Sequence, residues 1–256
     1  MVEHANANTT VAYRPLPRLL PQEHAIGVDV GQASDFSAMC VLSRRIVGPE
    51  TAMFAPVGAH PGNRLVNGSV VYDLTYAKRT KDKNYTEIAR DIVDRLIALA
   101  PQGGFGERGV IACAIDGTGV GRGICDMFTD EIKRRARRGE YTPEVDMRFV
   151  AFRSSQETLK RPDRTSGYWR APLNDLVFPM VSAFQDRKIR IPKNVDDRDQ
   201  LVHELTHFRR KVNLASGSEG FEAWRERDHD DLVFALALAF FCWRVRRGNS
   251  KLRIIR

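Results

Sequence analysis

Two apolar stretches of this chain end in the same way, with an aspartate and a glycine. Residues 25–30 (AIGVDV) carry Asp29 and are closed by Gly31, while residues 110–115 (VIACAI) run directly into Asp116 and Gly117. Both read as short buried strands, and the second, apolar throughout, as a strand covered on both faces. A carboxylate in such surroundings is costly unless it is paired or bound to a cation. Taken alone, Asp29 reads equally well as a polar strand end facing a loop. Two such strands set side by side would instead bring both acids to one edge of a sheet.

The remaining pattern supplies such a sheet. Residues 36–42 and 70–76 read as strands, the latter with Tyr72, Leu74 and Tyr76 on one face, and residues 147–152 read as a fifth strand. Residues 85–99 place Ile88, Ile92, Val93, Leu96 and Leu99 at helical spacing. A second helix opens after Gly119 and ends in the basic run KRRARR at 133–138. The order β-β-β-α-β-α-β predicts an α/β fold with a ribonuclease H-like mixed five-stranded sheet. Three antiparallel strands would feed a parallel βαβα half, with helices on the flanks. Further on, 172–184 and 199–208 read as helices, 189–191 as a short strand, 208–214 as another strand and 229–244 as a helix. Residues 1–23, broken by Pro15, Pro17 and Pro21, read as a flexible arm or linker, 24–246 as the folded domain and 247–256 as a basic tail.

The last helix carries Asp230 and Asp231 in its first turn, where the helix dipole favours negative charge for structural reasons alone. Leu232, Ala235, Leu236, Ala239, Phe240 and Trp243 share one helical face, and the small alanines permit close packing on a sheet. Packed in this way, the helix can bring Asp230 and Asp231 to Asp29 and Asp116. Carboxylates are hard ligands suited to Mg²⁺ or Mn²⁺. Two such ions about 4 Å apart can activate water and stabilise both oxygens of an in-line phosphoryl displacement. Gly117, Gly119, Gly121 and Gly123 leave two readings open. They could cradle a phosphate at a helix N-terminus, or let a DNA backbone approach Asp116 with Arg122 near a phosphate. The dinucleotide fingerprint GxGxxG is not met, because Arg122 breaks it, and no P-loop Lys-Ser/Thr follows.

Charge points the same way. Forty Lys and Arg against 32 Asp and Glu give a net charge of +8, and a basic surface favours polyanions through counterion release. Lys133, Arg134 and Arg135 in the basic run, and Lys160, Arg161 and Arg164 near Tyr168 and Trp169, are candidate phosphate contacts. The plainer account of the run is a solvated helix end. Cys40, Cys113 and Cys242 lie in apolar runs without a CxxC pair, as buried free thiols of a reducing cytoplasm would. No secretory signal is visible, and the apolar stretch 232–243 is too short to span a bilayer, so no membrane association is expected.

Three segments, GVDVGQASDFSA, AIDGTGVGRGICDMF and HDDLVFALALAF, resemble in order the three nuclease motifs of phage terminase large subunits. The likeness spans residues 24–245. It implies an endonuclease that cuts concatemeric viral DNA during genome packaging, in a bacterial host and of phage or prophage origin. By the same resemblance Asp29, Asp116 and Asp231 match the metal-binding acids, with Asp230 a fourth, and two Mg²⁺ or Mn²⁺ ions are implied. The partners implied are double-stranded DNA and a separate packaging ATPase, small terminase subunit or portal. A full-length terminase also has an N-terminal packaging ATPase. No Walker A sequence occurs in these 256 residues, so an excised domain, split gene or remnant is expected.

Rival readings are discriminable. His203-Glu204-Leu205-Thr206-His207 matches the zinc-metalloprotease signature HExxH, with Glu219 or Glu222 as a third ligand. Against it, Leu201, Val202, Leu205 and Phe208 are expected to form the buried helix face, with both histidines turned to solvent. A resolvase- or transposase-like nuclease would use the same acids on branched DNA or transposon ends. An actin-like or sugar-kinase fold would need two such domains to enclose ATP. A basic DNA-binding module would need no intact acids.

Overall fold

The structure, a computed structural model, describes residues 13–15, 23–31, 35–47, 54–56, 69–99, 111–118, 121–140, 145–153, 168–214 and 230–244. Its centre is a mixed sheet. Strand β2 (Glu23–Asp29) pairs antiparallel with β3 (Ser37–Val47), which pairs antiparallel with β5 (Ser69–Thr80). On its other side β2 runs parallel to β6 (Ile111–Asp116), and β6 runs parallel to β7 (Val145–Arg153). These five are the expected strands in the expected pairing, with β3 and β5 longer than the expected 36–42 and 70–76.

Two more strands make the sheet seven-stranded rather than five-stranded. β8 (Trp169–Pro172) extends the parallel half beyond β7, and β9 (Ile189–Arg190) adds parallel to β5 at the far edge. Each is too short to show a period of its own, and its partner rather than its sequence makes it a strand. A separate two-stranded sheet joins β1 (Tyr13–Pro15) to β4 (Phe54–Pro56), so the stretch read as a linker contributes a strand.

Helices cover both faces. α1 (Tyr85–Leu99) and α2 (Gly121–Arg137) pack Ile88, Ile92, Leu96, Ile124 and Phe128 against Ile26, Val28, Cys113 and Ile115. The other face carries α3 (Leu173–Gln185), α4 (Arg198–Leu214) and α5 (Asp231–Arg244). α4 continues through 208–214, where a strand was expected; the helix simply carries on past Phe208. Every residue from Leu232 to Cys242 is buried. α5 was expected to hide one face, but the sheet lies beneath it and α3 and α4 also contact it, which is why it is apolar all round. All four cysteines are buried free thiols. Among the described residues no helix is long and apolar enough to cross a membrane.

α5 lies unusually close to β2. A Cβ built on Gly27 would sit 1.9 Å from the Ala235 carbonyl oxygen and 2.4 Å from the Ala239 nitrogen. Only glycine on the strand, facing alanines on the helix, permits this contact. Gly27→Val should therefore force the helix off the sheet and lower the unfolding free energy by roughly 3 kcal/mol or more. Urea denaturation checks this, and a variant as stable as wild type would show that the backbones can separate at no cost.

Candidate metal-binding nuclease site

Register builds the site. In β2, Ala25 and Gly27 face α5, and so does Asp29 two residues on. Asp29 lies opposite Ala38 of β3, and Ala38 lies opposite Arg79 of β5. On the parallel side Val28 is in register with Ile115, so Asp116 ends β6 beside Asp29. One row across four strands thus reads Asp116, Asp29, Ala38, Arg79. α5 starts over this end of the sheet, as the contact between Arg79 and Asp231 shows: their Nη1 and Oδ2 are 3.7 Å apart. Asp29 and Asp116 thus end neighbouring strands at the end of the sheet where α5 begins with Asp231. Among the described residues no three Asp, Glu, His or Cys side chains close into a metal-binding group.

Asp29, Asp116 and Asp230 are buried, and Asp231 is partly exposed. Asp116 Oδ1 accepts the Thr118 amide at 2.8 Å, which turns the chain sharply after β6. The Gly117 amide is taken by the Val150 carbonyl at 2.8 Å, tying that turn to β7. A Cβ on Gly117 would lie 2.4 Å from the Tyr168 ring. Gly117 therefore makes room for a tyrosine beside Asp116. Gly119 lies outside the described residues.

The structure also brings in two residues absent from the sequence-level site. Glu204 of α4 is buried, and its Oε2 accepts the amides of Leu232 (2.9 Å) and Val233 (3.3 Å) in the first turn of α5. Glu204 thus caps the start of α5 from another helix. Glu204 Oε1 faces Gln200 Nε2 at 3.2 Å and Arg79 Nη1 at 3.4 Å. Burial pushes the Glu204 carboxyl up to about 7; the nearby Asp231 adds to this, while Gln200, Arg79 and the Leu232 amide oppose it. Arg79 in turn stacks its guanidinium 4.0 Å from the Phe36 ring centroid and donates its backbone N–H to Asp197 at 2.7 Å.

This placement disposes of the zinc-protease alternative and corrects the helix face expected for α4. Val202 is exposed and Glu204 is buried, so the inward stripe is Leu201, Glu204 and Phe208. His203 and His207 are exposed, with ring centroids 4.1 Å apart, and His207 Nδ1 contacts the His203 carbonyl. A zinc-bound water would lie on the histidine side, away from the glutamate that must activate it. Glu219 and Glu222 lie outside the described residues. The spacing of three and four between Leu201, Glu204 and Phe208 was the available signal for Glu204, an acid on an apolar stripe.

The basic run lies elsewhere. α2 leaves from the site end of the sheet, and Arg134 stands thirteen residues into it, roughly 20 Å along the axis. Arg134 and Arg135 both donate to the buried Glu131, and Arg135 also pairs with Asp94 at 2.6 Å. Lys133 is exposed and lies 3.9 Å from Asp130. Lys160, Arg161 and Arg164 lie outside the described residues, as does the side chain of Arg122, which sits in the first turn of α2.

Hydrogen bonds from Arg134, then Arg135, bring the Glu131 carboxyl down to about 2 against the opposing effect of burial. A depressed carboxyl stabilises the fold above its ordinary value near 4.5 and loses that contribution as pH falls toward 2. Glu131→Gln should cost about 1 kcal/mol at neutral pH. The gap to wild type should close between pH 4.5 and 2, as thermal melts across that range would show.

A ribonuclease H-like sheet with aspartates at the ends of its two central parallel strands, and acids starting the helix laid across them, defines a nuclease of that superfamily. The family described as "Terminase RNaseH-like domain" matches residues 75–241, and the chain belongs to it. It is a DNA endonuclease domain of the genome-packaging type. Arg79, Asp116, Glu204, Asp230 and Asp231 fall inside the matched span, and Asp29 precedes it. Similar solved structures include the human cytomegalovirus terminase nuclease domain, with a TM-score of 0.49 and 10% identity over 86% of this chain and 82% of that one. The large terminase nuclease from thermophilic phage G20c with bound magnesium gives a TM-score of 0.39 and 17% identity over 87% and 82%. Thermus thermophilus RuvC gives 0.31 and 10% over 85% and 90%. No curated protein matches the sequence.

Proposed function

We propose that Asp29, Asp116 and Asp231, with Asp230 beside them, hold two Mg²⁺ or Mn²⁺ ions with which this chain hydrolyses the phosphodiester bonds of double-stranded DNA. The observation that carries this is the row of register that ends β6 and β2 in Asp116 and Asp29 on the face where α5 begins with Asp231. The donor set fits hard divalent cations: it is all carboxylate oxygen, with no thiol or imidazole among the four. Bound there, the ions would supply the Lewis acid that activates water and stabilises both oxygens of the displacement. The chain's own part is to hold its carboxylates on rigid elements, two on strands and two on a helix start.

The catalytic unit would be residues 24–246, acting in the cytoplasm of a bacterial host beside a separate packaging ATPase, small subunit or portal. Lys133, Arg134, Arg135, Lys160, Arg161, Arg164 and Arg122 would contact DNA backbone beyond the cut. Arg134 and Arg135 would do so only in so far as Glu131 leaves them donors to spare.

Plasmid cleavage in Mg²⁺, Mn²⁺ or EDTA is the test. Cleavage should require the divalent ion and fall by at least about 100-fold in Asp29→Asn and in Asp116→Asn, with circular dichroism unchanged. Normal cleavage by a folded variant would remove that residue from the site, and cleavage in EDTA would remove the metal.

A further inference from the structure

Arg79 and Glu204 have no part in the proposed ligand set, yet both press against it. The Arg79 guanidinium is a permanent cation placed between two carboxylates, 3.4 Å from Glu204 Oε1 and 3.7 Å from Asp231 Oδ2. Its position is held on other sides as well: its backbone N–H goes to Asp197, and its plane lies over Phe36. Glu204 is equally fixed, with one oxygen on the α5 amides and the other toward Gln200 and Arg79.

A divalent ion that binds Asp231 must do so beside a positive charge already there. How strongly Arg79 opposes it depends on where the guanidinium rests, and its other anchor is Glu204. Resting on the metal-site reading above, we propose that Glu204 is a positioning residue that shares Arg79 with Asp231, drawing the guanidinium off that carboxylate so that it can take a divalent cation. Without the Glu204 charge, Asp231 is the carboxylate left beside the guanidinium among the described residues.

The test is binding of Mn²⁺ alone to the full chain at pH 8, read from the electron paramagnetic resonance signal of free Mn²⁺, so that cleavage is not needed as a readout. Glu204→Gln keeps a carbonyl acceptor for the Leu232 amide but loses the charge. It should bind Mn²⁺ roughly tenfold more weakly, and Arg79→Gln roughly tenfold more tightly. The double variant should bind like Arg79→Gln, because no guanidinium remains to be shared. If Glu204→Gln weakens binding equally with and without Arg79, Glu204 acts only as a bare charge and the sharing is wrong. If Glu204→Gln fails to fold by thermal melt, Arg79→Gln decides: tighter binding supports the proposal, and unchanged or weaker binding overturns it. Absence of Mn²⁺ binding by wild type would instead overturn the metal site itself, and this inference with it.

Discussion

The contact of α5 with β2 at Gly27 is the constraint on which the rest of the molecule depends. Backbone meets backbone there, so the helix has one height above the sheet. Buried charges from other elements hold its two ends. Glu204 accepts the first-turn amides, and Arg148 of β7 donates to the Cys242 and Phe241 carbonyls in the last turn. Each charge has the sign that complements the helix dipole at its end. Arg148 shares a row with Ala114 and Gly27, so one line of register both seats the helix and caps it.

Location of the acids follows from that seating. Two residues beyond Gly27 the strand reaches Asp29, and the parallel neighbour reaches Asp116 one step past Ile115. The helix that the glycine admits begins with Asp230 and Asp231. The elements that seat the helix are therefore the ones that carry the proposed ligands. Aromatic pairs such as Tyr72 with Phe240 and Trp169 with Phe241 pack on the α5 side and contribute nothing visible to the acids. At the opposite face, α1 and α2 are joined by Arg135 to Asp94, an ion pair in the same basic run that composition had marked for DNA.

The central five strands, α1, α2 and α5 were legible because each is long enough to show its period or, for β2 and β6, apolar enough to need burial. β8 and β9 were not counted in the sheet, since strands of four and two residues exist through their partners. The end of α4 was misread as a strand because local apolar alternation competes with helix continuation there. Glu204 was legible as a residue but assigned to the wrong company. HExxH drew it together with His203 and His207, whereas the packing of α4 against α5 turns it the other way. Arg79 carried no local signal, as one base among the four of residues 78–83 would not stand out.

By itself the sequence determined that two strands end in acids, that a small-residue apolar helix follows with two more, and that the family is that of terminase nuclease domains. These are properties of local composition and spacing, and they survive without coordinates. Tertiary structure alone decided that Arg79, 125 positions before Glu204 in the chain, meets Glu204 and Asp231 at one point. It also decided which bases are already paired within the fold. Long-range register and the height of α5 set both, and neither quantity is written in any short stretch of residues.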